Sequence, residues 1–388
     1  MSQRTPPFAM LLAMAMASPL ALNIFAPVMP SLVDHFGTTP FTIQLGFTLY
    51  LLSLAFGQLI SGPLADRYGR KPVLLWGFAL HIVGCLLGAL AIEVWQLLLG
   101  RVLQALGGCT GMLLARSILL DQHDRDKAAG LLGYITLGIA AAQALAPALG
   151  GYLNLATGWQ SVFWLSLAMG STVWLAAIIW LPETAQPDDQ REPLAALFRR
   201  YPQVLRNRQY LCFSLSSTLI AACFFAFITS APFVADQWLG GNSADYGNWF
   251  MLVAAGFFLG SMTAGRISAA QGVGRMMVLG HSLSMLAAIG MLASFHWQGV
   301  SWLGLFGSMA LFTFGRGLSQ PAAQSAAISA TPGAVATASG LLGFIQLLVG
   351  SIIAQLTPRF IEVDVQLLPV TLLVASGLAL VVYRMGKL

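Results

Sequence analysis

The sequence predicts an all-α integral membrane protein, with twelve transmembrane helices in two pseudo-symmetric six-helix bundles. Three observations lead there. Only 9% of the 388 residues are charged, 57% are hydrophobic and the mean hydropathy is +0.77, whereas soluble domains hold about a quarter charged residues. Apolar runs of about 20 residues, the length that crosses a bilayer at 1.5 Å per helical residue, recur along the chain. One long polar interval, Glu183 to Gln209, divides these runs into two equal sets.

The first run occupies 8–33. Ala13 to Ser18 resembles a signal-cleavage site, but the apolar stretch continues past Ser18 and its removal would leave an odd number of spans, so it reads as the first helix. The next runs lie near 41–62, 73–91, 95–118, 130–152 and 160–181. The second set lies near 210–235, 246–267, 275–295, 300–322, 335–357 and 367–384. The expected organisation is a first bundle over 1–182, a linker over 183–209 and a second bundle over 210–388. Within the linker, Leu194, Leu197, Phe198 and Leu205 alternate with Arg199, Arg200, Arg206 and Arg208. A basic amphipathic segment on the inner membrane face and a solvated tether both fit that pattern.

An even number of spans puts both termini on one side, and charge says which. Of the 19 basic residues, all but Arg101, Arg316 and Arg359 fall on the side shared with the N-terminus. The positive-inside rule makes that side cytoplasmic. The expectation is a multi-pass protein of the bacterial inner membrane. The net charge of +5 then reflects topology and contact with an anionic inner leaflet, not nucleic acid. Cys85, Cys109, Cys212 and Cys223 lie in apolar spans without metal-ligand spacing, so they read as small core residues and no metal is expected.

Gly62-Pro-Leu-Ala-Asp66-Arg67-Tyr-Gly69-Arg70-Lys71 joins the second and third spans. Gly62 and Gly69 permit tight turns, and Asp66 can pair with an arginine or sit at a helix N-terminus. Such a cluster can latch the inner ends of the two halves; plain topology anchoring is the simpler alternative. A weaker echo, Gly265-Arg266 to Gly274-Arg275, lies between the eighth and ninth spans. In the fifth span Pro147 removes a backbone hydrogen bond, and Gly150 and Gly151 let a neighbour approach closely. That combination suits either a sliding seam or simple packing.

The 62–71 turn matches the loop signature of the major facilitator superfamily. Gly100-Arg101-Val-Leu-Gln104-Ala105 is similar to its R-x-x-Q-G element, and Ala146-Pro147-Ala-Leu-Gly150-Gly151 to its antiporter motif. With Trp159 to Trp164 and Leu181-Pro-Glu-Thr184, the chain resembles the twelve-span drug:proton antiporters of the Bcr/CflA-like branch. The resemblance implies two six-helix halves about a central cavity, a midplane site exposed alternately to either side, and a monomer acting on small molecules.

The chain departs from that branch in its charges. All 14 acidic residues lie in loops or at span ends. Asn23-Ile-Phe-Ala-Pro27-Val-Met-Pro30 stands where many of these antiporters have D-M-Y-L-P-A-L-P, so the titratable aspartate is replaced by Asn23. Arg101 and Arg316 lie at hydrocarbon depth, where an arginine must face protein or water; Arg101 marks the substrate or proton pathway or pairs with backbone carbonyls near the first span, and Arg316 lines the cavity or serves a snorkelling or interhelical role. Without buried acids beside them, Coulomb reasoning favours neutral, zwitterionic or anionic cargo. The expected cavity lining is Asn23, Tyr50, Arg101, Gln104, Gln143, Phe224, Phe227, Arg316, Gln320 and Gln346. Candidates for proton coupling are Asp34, Asp66, His81 and His281, since histidine titrates near neutrality; the alternative for each histidine is a hydrogen-bonded core residue.

No P-loop, H-E-x-x-H or paired intramembrane aspartates occur in the sequence. An enzyme, a self-contained ATP-driven pump and a cofactor are therefore not expected, and the proton gradient is the expected driving force. No pore-loop segment or charged ring argues for a channel. The leading expectation is a secondary exporter of small amphiphilic molecules. The alternative is a dedicated carrier of an endogenous anionic or zwitterionic metabolite such as a siderophore, and a membrane-embedded receptor ranks third.

Overall fold

The computed structural model describes residues 6–122, 125–184, 201–331 and 334–386. Among them there is no strand. The chain divides into two compact units, Met1–Glu192 and Pro193–Leu388.

The first unit begins with α1 (Phe8–Asn23), a single 3₁₀ turn (Ala26–Val28) and α2 (Met29–Phe36). Together they form the first crossing, expected to be one uninterrupted helix. Pro27 and Pro30 explain the break, since each lacks the N–H that would continue the ladder, and each sits at the start of a new helical piece. Then come α3 (Pro40–Tyr68), α4 (Arg70–Ala89), α5 (Val94–Gln122), α6 (Arg125–Thr157) and α7 (Gln160–Trp180). Thr39 caps α3 by accepting from the Thr42 N–H at 3.3 Å, with Pro40 in the first turn.

The second unit holds α8 (Arg208–Gln237), α9 (Ser243–Gln298), a π turn (Leu303–Gly307), α10 (Ser308–Ser329), α11 (Val335–Val363) and α12 (Leu367–Met385). Asn242 and Asp245 form a reciprocal capping box at the start of α9. That long element breaks at Gly272 (φ 74°, ψ 157°) and supplies two crossings. Among the described residues eleven helices are long and apolar enough to cross a membrane. The remaining crossing, the π turn with α10, is more polar because it contains Arg316, Gln320 and Gln324. Arg359, expected in a loop, lies in the last turns of α11.

Of the linker, 201–205 is helical; its Leu194, Leu197, Phe198, Arg199 and Arg200 lie outside the described residues.

Each unit is packed from small and apolar groups. In the first, Met14, Leu74, Phe78, Leu114, Ile118 and Val173 form a buried cluster. α4 and α5 approach so closely that a Cβ on Gly107 would collide with the Gly77 carbonyl and the His81 backbone. In the second unit, Gly280 of α9 and Gly315 of α10 meet in the same way, each against the other's carbonyl. Large apolar side chains point outward, Trp76 at 79% exposure and Ile92 at 82%. An apolar exterior over a polar-studded interior is what a lipid solvent demands.

Candidate functional site

The membrane interior of each unit holds one arginine on its fourth crossing, clamped between an aromatic ring from the first crossing and one from the second. In the first unit the Arg101 guanidinium lies 4.4 Å from the Phe25 ring and 4.1 Å from the Tyr50 ring. In the second unit Arg316 lies 4.5 Å from Phe224 and 5.1 Å from Phe257. Each arginine also has a glutamine one turn further along its helix. Gln104 Oε1 accepts from Arg101 Nη1 at 2.6 Å, and Gln320 Oε1 accepts from Arg316 Nε at 2.6 Å.

The two clamps differ in how completely they satisfy the cation. Arg101 is 1% exposed. Its Nε donates to the Gly46 carbonyl at 3.3 Å and its Nη1 to the Ala21 carbonyl at 3.0 Å. Gln104 is in turn fixed by donating from Nε2 to Cys85 Sγ at 3.1 Å. A charge-assisted bond is worth about 1.5–3 kcal/mol, so two already match the roughly 2.5–3.5 kcal/mol cost of an arginine at mid-membrane. Arg101 is thus a tie between three crossings. Arg316 is partly exposed, and Gln320 is its one hydrogen-bond partner among the described residues.

The depths differ as well. Arg101 comes six residues before Gly107, whereas Arg316 comes one residue after Gly315, the corresponding close-contact glycine. Seven residues of helix amount to about 10 Å.

The charged turn after α3 forms a compact network inside the first unit. Asp66 pairs with Arg70, and Arg70 Nε also donates to Asp121 Oδ2 at 3.3 Å. The Lys71 ammonium donates to the Ile178 carbonyl at 3.1 Å. Gly69 adopts φ 100° and ψ 155°, a conformation open to glycine alone. A Cβ there would strike the Glu183 carboxylate. That carboxylate accepts from the backbone N–H groups of Arg70 (2.8 Å) and Lys71 (3.2 Å), capping α4. Gly62 lies in the last part of α3, and Arg67 stacks over the Tyr68 ring.

Of the expected cavity lining, Asn23, Tyr50, Gln104 and Phe227 are closed inside their units, at 2%, 0%, 1% and 0% exposure. Asn23 turns its amide back to the Pro19 carbonyl at 2.7 Å. Tyr50 donates to the Ser18 carbonyl at 3.1 Å, and Phe227 packs edge-on to Phe306. Gln143 is exposed. Phe224, Arg316, Gln320 and Gln346 are partly exposed, with Gln346 donating to Ser217 Oγ at 2.9 Å. Pro147 lies inside α6; Gly150 packs on Ile24 and Pro27 of the broken first crossing, and Gly151 is buried beside it.

Among the proton candidates, Asp34 is exposed at the end of α2 and Asp66 is tied to Arg70. His81 and His281 are buried, at 0% and 1% exposure. His81 Nδ1 donates to the Gln104 carbonyl at 2.9 Å. Ser216 gives its hydroxyl hydrogen to the Ala379 carbonyl at 2.8 Å, so its oxygen accepts from His281 Nε2 at 2.7 Å.

The Ala21 carbonyl answers to the expected pairing of Arg101 with carbonyls of the first span, whereas sequence reasoning missed Phe25 and Phe257 as clamp faces, the carbonyl of Gly46, and Glu183 as a cap. Only Glu183 left a signal, as the acidic member of Leu181-Pro-Glu-Thr184.

The described residues contain no cluster of His, Cys, Asp or Glu able to hold a metal ion.

The Major Facilitator Superfamily model matches residues 11–354. The chain is 24% identical to the multidrug transporter MdfA of Yersinia pestis bv. Antiqua (strain Angola) over 333 residues, covering 86% of this chain and 81% of the relative. It is 26% identical to multidrug resistance protein D of Escherichia coli (strain K12) over 350 residues, 90% of this chain and 87% of the relative. It is 30% identical to multidrug resistance protein MdtL of Escherichia coli O17:K52:H18 over 247 residues, 62% of this chain and 61% of the relative. Among solved structures, the peptide transporter POT in complex with sulfate superposes with a TM-score of 0.81 at 16% identity, covering 98% of this chain and 93% of that one. A D-xylose-proton symporter gives a TM-score of 0.77 at 12% identity, covering 98% and 96%. At these identities the two structures speak for the fold alone.

Proposed function

Because the chain belongs to the Major Facilitator Superfamily, we propose that it is a secondary exporter of small amphiphilic, drug-like molecules, working by alternating access and exchanging cargo for protons. The observation that carries this reading is the likeness to three relatives each named as a multidrug protein, two of them matched over more than four fifths of both chains. The chemistry of the interior supports it: aromatic faces and amides beside fixed cations can hold an apolar body with a polar end. The charge bias of the loops supports cytoplasmic termini in a bacterial inner membrane, with basic residues against anionic lipid. The protein is read as a monomer that acts on small molecules, not on nucleic acid, performs no catalysis and needs no cofactor.

A second reading, a dedicated carrier of an anionic or zwitterionic metabolite, is favoured by one observation. The spans hold Arg101 and Arg316 while every acidic residue lies in a loop or at a span end.

The test is a cargo panel in everted membrane vesicles with an internal pH dye. Proton efflux on adding several unrelated amphiphiles supports multidrug antiport; a response to one anionic compound class only supports the second reading. No pH response to any member of the panel would remove proton coupling.

A further inference from the structure

We propose that Arg316 anchors the anionic end of the cargo, a carboxylate or similar two-oxygen anion whose apolar body lies along Phe224 and Phe257. This deepens the transporter reading and rests on it.

The argument is a comparison within one chain. Arg101 shows what a purely structural intramembrane arginine looks like here: two backbone carbonyls and a glutamine hold Nε and Nη1, only Nη2 is left without a partner among the described residues, aromatic rings lie against the guanidinium, and the residue is 1% exposed. Arg316 has the same aromatic clamp, but its only hydrogen bond among the described residues runs from Nε to Gln320. Among the described residues Nη1 and Nη2 have no protein acceptor and Arg316 is part of no ion pair. A cation at this depth must meet protein, water or a ligand.

The geometry also selects the ligand. Gln320 holds Nε, and the two rings confine the plane of the guanidinium. The parallel N–H bonds of Nη1 and Nη2 then face outward from the clamp as a fork, which matches two oxygens of a carboxylate, sulfonate or phosphonate. Arg316, Gln320, Phe224 and Phe257 are all partly exposed, unlike the closed set around Arg101. Arg316 sits at the middle of the crossing formed by Leu303–Gly307 and Ser308–Ser329, about 20 Å from either end at 1.5 Å per residue. That distance disfavours a lipid headgroup and favours a cargo molecule.

The test uses purified full-length protein in lipid-free detergent and an isosteric pair of probes, 2-naphthoate and 2-naphthamide, which share a shape but differ in charge and in one acceptor oxygen replaced by an NH2 donor. Wild type is expected to bind the carboxylate at least roughly tenfold more tightly than the amide. Arg316→Gln should abolish that preference, so that carboxylate and amide bind with equal affinity. Should R316Q fail to fold, Arg316→Lys serves instead, since it keeps the charge but not the fork: the preference should shrink and persist.

Equal binding of the two probes by wild type, or an undiminished preference in either variant, overturns the proposal. So does displacement of naphthoate by phosphatidylglycerol, which would make the site a lipid-headgroup site. Because the readout is binding, it separates from the transport reading. A protein that prefers naphthoate yet moves no cargo in vesicles refutes transport and keeps the anion site.

Discussion

Glu183 caps the helix that begins at Arg70, its carboxylate accepting the Arg70 backbone N–H at 2.8 Å across 113 positions of sequence. The same carboxylate accepts from Lys71, occupies the space beside Gly69 where a Cβ would go, and is followed by Thr184, which donates to Asp121. The charged turn is therefore closed by the segment that leaves the sixth crossing. Glu183→Ala should cost about 1 kcal/mol of stability, the usual worth of a cap, and Glu183→Gln less. The check is apparent Tm of the purified protein, with Asp34→Ala, an exposed acidic residue outside this network, as the control expected not to shift it.

Gly69 and Gly272 follow the second crossing of each unit with nearly the same backbone, φ 100° against 74° and ψ 155° against 157°. They differ in surroundings: a Cβ on Gly69 meets Glu183, and one on Gly272 meets nothing within 4 Å. Both alanine variants should lose about 1–3 kcal/mol for the forced conformation. Gly69→Ala should lose more, and the excess should vanish when Glu183 is also alanine. A double-mutant cycle on Tm measures this coupling.

Arg101 and Arg316 should behave differently when shortened. Arg101→Gln leaves the Ala21 and Gly46 carbonyls and Gln104 without their donor, a loss of roughly 3–9 kcal/mol given about 1–3 kcal/mol for each buried unsatisfied group. Arg316→Gln strips only the Gln320 carbonyl and should cost under about 1 kcal/mol. Side-by-side Tm and detergent-extracted yield test the contrast; equal losses would refute a division into tie and open fork.

Asn23→Asp should raise recognition of cationic amphiphiles, because it installs the intramembrane carboxylate the chain lacks. It also carries a cost. Asn23 donates to the Pro19 carbonyl at 2.7 Å while 2% exposed, and an ionised aspartate cannot donate, so about 1–3 kcal/mol of stability should be lost. Binding of a lipophilic cation and Tm report the two effects separately. Unchanged selectivity would count against the charge argument.

The crossings were legible because a lipid solvent imposes one requirement, about 20 apolar residues with internally paired backbone, and hydropathy reports it directly. The break at Asn23 to Met29 was written in Pro27 and Pro30 but hidden by the unbroken apolarity around them. The repeat was seen through its arginines and aligned to Gly274-Arg275, whereas the backbone turn falls at Gly272, because φ is set by the glycine and not by the charge. Arg101 and Arg316 were found because a charge in an apolar run is conspicuous. Pairing of Arg101 with carbonyls of the first crossing is one of the two readings its sequence position allows, but the choice between them is not legible there, since the deciding groups, the Gly46 carbonyl 55 residues away and the Ala21 carbonyl 80 away, are backbone and leave no trace in residue type. Glu183 was hidden for the same reason of separation.

The most direct test of the account is counterflow in proteoliposomes. Vesicles bearing purified protein and loaded with an excess of unlabelled amphiphile should transiently accumulate the labelled compound from outside, with no ATP present. Accumulation that depends on the internal load is the predicted result; uptake no greater than in protein-free vesicles, for cationic, neutral and anionic compounds alike, would contradict it.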